Sequence, residues 1–170
     1  MFQDYRIYDA DAHVILSPKM WEELPPEYAV RRPRPVRVSD QEGMGRWNTG
    51  WLMDGRMQPH PFGPATQGAN KPTDVLEEFG ASPEVVESLD LSNPEARIRD
   101  MDRAGIDIQF VFPTTLYANA TADPTFEAVL FRTYNRYVGL QCKHFSKRLK
   151  WAGLLPLRDS RQGCAALQEM

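Results

Sequence analysis

From residue 92 onward the sequence alternates between a helical period and short apolar runs, and this alternation constrains the fold more than any other feature. "SNPEARIRDMDRAG" puts Ser92 or Asn93 ahead of Pro94, sets Ile98 and Met101 on one face and ends at Gly105, which marks a short capped helix. "IDIQFVFPTT" follows, with a nearly continuous apolar centre from Ile108 to Phe112 that suits a buried strand. Asp123-Pro124 then opens a helix expected to run to about Arg148, with Phe126, Val129, Leu130, Tyr134, Tyr137, Gln141 and Phe145 as a mostly apolar stripe. "LKWAGLLPL" is expected to be a further strand, and Asp159-Ser160 opens a last helix carrying Ala165, Ala166 and Leu167. Apolar strands alternating with helices imply an α/β fold with a parallel sheet.

Upstream, residues 5–14 read as the first strand, and a long insertion of approximately 17–91 separates it from the rest. Within the insertion, "SPKMWEELPPEY" is expected to be a helix capped at Ser17, started by Pro18 and stopped by Pro25-Pro26. "PVRVSDQEGMGRWNTGWLMDGR" is expected to be a hairpin, with Val36 and Val38 alternating, a turn over Asp40 to Gly45 and a return over Trp47 to Met53. "MQPHPFGPATQGANKP" reads as loop and "TDVLEEFG" as a short helix. Only three strands of the parallel type are predicted, and the last helix reaches Met170 without a C-cap. Such a sheet leaves open edges, so the chain reads as cut off.

Composition narrows the function. A chain of 170 residues, 42% hydrophobic, has enough apolar material for one core. A net charge of −3 without a basic cluster argues against nucleic acid and against an anionic membrane as partners. The most basic run, Arg31-Arg32-Pro33-Arg34, reads as a solvated loop. No run approaches the ~18 apolar residues of a membrane helix. Two cysteines, Cys142 and Cys164, without CxxC spacing, imply a reducing cytoplasm. The segment after strand one, Val14 to Pro18, has no glycine, which counts against a nucleotide-binding domain.

The chemistry is concentrated in "IYDADAHVIL", residues 7–16. In a regular strand Asp9, Asp11 and His13 share one face, about 6.6 Å apart along the chain; Tyr8, Ala10, Ala12 and Val14 share the other. Asp11 and His13, nearest the strand's C-terminal end, are the candidate metal ligands, because a carboxylate oxygen and an imidazole nitrogen can converge on one divalent cation. Asp9 lies deeper and is expected to support the ligands by hydrogen bonding. His60 reads as a loop histidine and His144 as a helix histidine facing outward or packed. Arg56 and Trp51, with Trp47 and Phe62, are candidates for a lid over a substrate carboxylate; the tryptophans also suit a small core of the insertion. Thr114 and Thr115 either bond substrate or cap the turn after their strand.

"DADAHV" (9–14), "DMDRAGIDIQFVFPT" (100–114) and "RLKWAGLLPLRD" (148–159) resemble the amino-terminal half of amidohydrolase-related enzymes. The branch is the one that includes aminocarboxymuconate-semialdehyde decarboxylase and related aromatic-acid decarboxylases. The resemblance runs over essentially the whole chain, "RWNTGWLMDGR" (46–56) included. It implies a metal-dependent (β/α)8 TIM barrel, of which residues 1–170 supply about the first three βα units as part of one domain. The family's first-strand H-x-H pair is matched by Asp11 and His13, so one histidine position holds a carboxylate. Further ligands and the catalytic groups are expected downstream of residue 170. The family's insertion arginine corresponds to Arg56 or Arg46. Implied with these are a divalent metal (zinc, with manganese as the alternative) and hydrolysis or decarboxylation of a small carboxylated substrate, aromatic ones included; a homo-oligomer is a separate expectation. The competing expectation is a non-catalytic remnant or partial barrel that binds a ligand or partner chain without turnover.

Overall fold

Capping chemistry sets the helix boundaries of the computed structural model, which describes residues 5–37, 49–60, 82–114, 116 and 120–170. In chain order its elements are β1 (Tyr8–Val14), two 3-10 turns (Pro18–Trp21 and Pro26–Arg31), β2 (Arg34–Arg37), β3 (Thr49–Met53), β4 (Arg56–His60), α1 (Pro83–Asp90), α2 (Pro94–Ala104), β5 (Ile108–Pro113), α3 (Pro124–Lys143), β6 (Leu149–Trp151) and α4 (Ser160–Glu169). Asn93 Oδ1 accepts the Ala96 N–H at 3.2 Å to start α2. Gly105, at φ 71°, ends α2 and returns its N–H to the carbonyls of Met101 and Asp102. Asp123 caps α3 through the N–H groups of Thr125 and Phe126, and Asp159 caps α4 through those of Arg161 and Gln162. Helix α1 is an addition to the expected elements, although Ser82 accepts from Val85 N–H and Pro83 fills its first turn. The expected helix over "TDVLEEFG" lies outside the described residues.

Strands β1, β5 and β6 pair in parallel, in the order β1-β5-β6. Ala12, Val14, Gln109, Val111, Pro113 and Leu149 are buried on one face, the side on which α2 reaches Gln109 and α3 meets Trp151. On the other face Phe110 is 40% and Tyr8 60% exposed. The expectation of a buried β5 therefore holds fully on one face only: on the other, Ile108 and Phe112 are half-buried and Phe110 is exposed.

Two expected elements end early, each for a side-chain reason. β6 stops at Trp151 rather than running to Leu157. Asn135 of α3 takes both polar groups of the Leu154 backbone, accepting its N–H at 2.7 Å and donating to its carbonyl at 2.8 Å. α3 ends at Lys143 rather than Arg148. Arg148 instead sits at the base of the sheet, donating to the carbonyls of Ile106 and Asp107.

The insertion departs further from expectation. The helix expected from Ser17 is a single 3-10 turn over Pro18–Trp21, and a second 3-10 turn over Pro26–Arg31 follows Pro25. β2, β3 and β4 form an antiparallel meander, so the expected hairpin gains a third strand where loop was read. Asp54 (φ 49°) and Gly55 (φ 74°) make the two-residue turn between β3 and β4, both left-handed as a type I′ turn requires. Trp51 and Met53 of β3 join one contiguous core with Trp21, Leu24, Phe126 and Leu130, rather than a separate core of the insertion.

Arg31 fastens the insertion to the loop after β5. Its guanidinium donates to Asp54 and Asp123, both at 2.8 Å, and lies 3.9 Å over the Phe126 ring. The Thr121 hydroxyl bonds the second oxygen of Asp54. Arg31 therefore leaves the solvated loop expected of its basic run. Its guanidinium and the Thr121 hydroxyl hold the Asp54 carboxyl below the usual carboxylate range.

Candidate metal-ligand pair on the open sheet face

The register of β1 against β5 decides which residues meet. Asp9 pairs with Gln109 and Ala12 with Val111, so Ala10 and Asp11 together oppose the single residue Phe110. That extra residue is a β-bulge, and it reverses the alternation of faces partway along the strand. Asp9 points to the helix-covered side, where its Oδ2 accepts from Gln109 Nε2 at 2.9 Å. Asp11 and His13 point to the open side. There Asp11 Oδ1 lies 3.3 Å from His13 Nε2, and the His13 ring centroid lies 6.3 Å from that of Phe112. The expected single face of Asp9, Asp11 and His13 is thus corrected to a pair on one face and a supporting carboxylate on the other.

Asp9 still bears on the pair through the backbone. Its Oδ1 accepts the Asp11 N–H at 3.1 Å. Gln109 Oε1 accepts from Arg97 Nε at 2.7 Å, and Arg97 donates onward to the carbonyls of His13 at 3.2 Å and Ser88 at 3.4 Å. Arg97 is 7% exposed. Burial pushes its guanidinium pKa down, and the charges of Asp9 and Asp100 oppose that shift. Neither Arg97 nor Gln109 stands out in the sequence; a buried arginine is recognisable only once its surroundings are known.

The donor chemistry fits part of a metal site. Two ligands on a tetrahedral cation, each bonded at ~2.0–2.1 Å, stand about 3.4 Å apart, and the Asp11–His13 separation is 3.3 Å. An imidazole–carboxylate hydrogen bond has a similar length, so the spacing suits either state. His13 Nδ1 is buried without a hydrogen-bond partner among the described residues. Asp11 is 92% exposed and His13 34%, leaving the pair open to an incoming group. No set of three or more metal-ligating side chains occurs among the described residues. Among the described residues Asp11 and His13 are thus two donors, one short of the three that a catalytic zinc site usually has.

None of the other candidates makes a hydrogen bond or ion pair with the side chains of this pair among the described residues. Trp51 is 1% exposed in the core, so its burial supports packing rather than substrate contact. Arg56 is exposed beside the Asp54-Gly55 turn and feels the Asp54 charge. Thr114 donates to the Val14 carbonyl, a cross-strand bond that ties the ends of β1 and β5 together. His144 is exposed just past α3, as expected. Thr115, Arg46, Trp47, Phe62 and the side chain of His60 lie outside the described residues. A cavity of about 690 Å³ between α3, β6 and α4, lined by Asn135, Leu140, Trp151 and Ala166, includes neither Asp11 nor His13.

No protein-family model and no curated protein matches the chain. Its fold is similar to the crystal structure of an amidohydrolase from Mycobacterium avium subsp. paratuberculosis K-10, with a TM-score of 0.66 and 17% identity. The match covers 98% of this chain and 46% of that one, so the chain spans about half the length of the structure it resembles. At this identity the likeness is one of fold.

Proposed function

We propose that the chain is the amino-terminal part of a metal-dependent (β/α)8 barrel of the amidohydrolase superfamily, with Asp11 and His13 holding two positions on a divalent metal. The observation that carries this is the Asp11–His13 pair, 3.3 Å apart near the C-terminal end of β1, the end where barrels of this kind keep their chemistry. The fold likeness to an amidohydrolase supports it. Zinc is the metal proposed, with manganese as the alternative, and the remaining ligands and catalytic groups come from polypeptide beyond residue 170.

When bound, such a metal would lower the pKa of a water toward neutrality or stabilise the electron pair left on the substrate as its carboxylate is lost as carbon dioxide. This chain's part is to hold and orient. Asp11 and His13 supply the donors, and the bulge aims both at the open face. Arg56, exposed at the β3–β4 turn, is the proposed partner of a substrate carboxylate. The substrate class is a small carboxylated molecule, aromatic ones included, cleaved by hydrolysis or decarboxylation in the branch of aminocarboxymuconate-semialdehyde decarboxylase. A cytoplasmic homo-oligomer is proposed with it. Among the described residues no helix is long and apolar enough to cross a membrane.

Zinc titration by calorimetry tests the ligand pair. One site is expected, weak because the chain offers two donors, and absent in His13→Ala. Equal heats from the parent and His13→Ala would overturn the assignment. The uncovered sheet face, with Tyr8 and Phe110 exposed, favours a second reading: a partial barrel that docks a partner chain without turnover. Concentration-dependent sedimentation without zinc binding would select it.

A further inference from the structure

We propose that the buried side-chain relay Arg97–Gln109–Asp9 is the positioning device that holds the β1 bulge and thereby sets the face on which Asp11 and His13 stand. This rests on the reading of that pair as metal ligands.

Register supplies the reason. With the bulge, His13 pairs with Phe112 and lies on the open face. Without it, continuing the Asp9–Gln109 pairing one for one would set Asp11 beside Val111 and His13 beside Pro113. Both of those residues belong to the helix-covered side. A single-residue slip would thus turn both donors into the core side, so whatever specifies the bulge specifies the site.

The relay meets that requirement at each joint. The bulge takes Asp11 out of the β1–β5 pairing, and Asp9 Oδ1 accepts its N–H at 3.1 Å. Asp9 Oδ2 is held by Gln109 Nε2 at 2.9 Å. The Gln109 amide has its own orientation fixed, because its Oε1 must face Arg97 Nε at 2.7 Å. Arg97 closes the loop by donating to the His13 carbonyl at 3.2 Å, one residue past the point where normal pairing resumes at Ala12. Both ends of the donor segment, the Asp11 N–H and the His13 C=O, are therefore tied to one chain of side chains. A hydrocarbon at position 97 would fill the space without the cost of burying a guanidinium; what it could not do is join α2, β5 and β1 by directional bonds.

The test uses the metal-free chain and nuclear magnetic resonance, followed by zinc titration. In the parent, the His13 ring should show contacts to the Phe112 ring, and the Asp11 amide should be protected from exchange. Asp9→Ala should abolish the His13–Phe112 contact and expose the Asp11 amide, with Val111 and Val138 amides unchanged. It should also weaken zinc binding by roughly 10–100-fold, the scale seen when groups supporting a metal ligand are removed. Asp9→Asn keeps an oxygen for the Asp11 N–H but sets its NH2 against the Gln109 Nε2 donor, so alone it should lose the contact. The double variant Asp9→Asn/Gln109→Glu, whose position-109 carboxylate accepts from both that NH2 and Arg97 Nε, should restore it, with zinc affinity within about threefold of the parent. If Asp9→Ala loses its overall spectral dispersion, Gln109→Met, similar in size but unable to bridge, takes its place with the same expected losses. Retention of the His13–Phe112 contact in whichever of these two variants folds would overturn the proposal. If the parent binds no zinc, the ligand reading fails on its own, while the ring contact and amide exchange still decide whether the relay sets the face.

Discussion

Asn135→Ala should destabilise the protein by about 2–3 kcal/mol. Asn135 is 7% exposed in the middle of α3, and its amide closes a two-bond ring with Leu154, at 2.7 Å to the N–H and 2.8 Å to the carbonyl. Truncation leaves both Leu154 backbone groups partnerless in a half-buried position. Each loss is worth about 1–1.5 kcal/mol, since water can reach them in part. At roughly 2–4 °C per kcal/mol for a domain of this size, the melting temperature should fall by about 5–10 °C. Asn135→Asp separates the two bonds. Its carboxylate still accepts the Leu154 N–H but faces the Leu154 carbonyl lone pairs, so it should be at least as damaging as alanine near pH 7. It should recover toward the parent near pH 3, where a protonated carboxyl can donate again. Urea denaturation followed by circular dichroism at the two pH values gives both numbers. An alanine variant within about 0.5 kcal/mol of the parent would refute the claim that this side chain, rather than sheet pairing, holds the strand's C-terminal extension.

Arg31→Met should cost about 1–2 kcal/mol at neutral pH through the Asp54 pair and the Phe126 face, measured by urea unfolding. Because the native Asp54 carboxyl lies below its usual range, the stability it contributes is present above the unfolded pKa near 3.9 and lost as pH falls through the native value; the variant's stability should therefore fall less steeply below pH 4. Arg158→Met strips the ion pair from Glu127, whose side chain is 4% exposed, and should cost about 3 kcal/mol in denaturant melts, with part recovered in the double variant Glu127→Gln/Arg158→Met. Gly55→Ala should cost about 1 kcal/mol; a Cβ there meets nothing within 4 Å, so the penalty comes from the backbone at φ 74°. In the folded protein a thiol reagent at pH 8 should label Cys164 fast and Cys142 slowly, since Cys142 is 2% exposed and burial pushes its thiol up to about 11.

The elements legible in the sequence are those whose cause lies within a few residues. Asn93, Asp123 and Asp159 cap the helices that begin beside them, and Gly105 ends the helix just before it, because each bond spans no more than four residues. The parallel pairing of β5 with β6 followed from the alternation of strand and helix. Two further signals are equally local: Ser82-Pro83, which starts α1, and Asp54-Gly55, which turns β3 into β4. The Asp11 and His13 pair was legible as well, since residues two apart meet on one side of a strand wherever no bulge falls between them.

Which side that is, the sequence by itself did not determine. The bulge that parts Asp9 from Asp11 and His13 is held by Gln109, 100 residues away from Asp9, and by Arg97 on a helix of another segment. The burial of Trp51 depends on a core shared with Trp21 and Phe126, and the fate of Arg31 on two carboxylates at positions 54 and 123. Local sequence fixes what a residue can bond. Whether a partner stands there depends on segments far along the chain, and only tertiary packing brings those together.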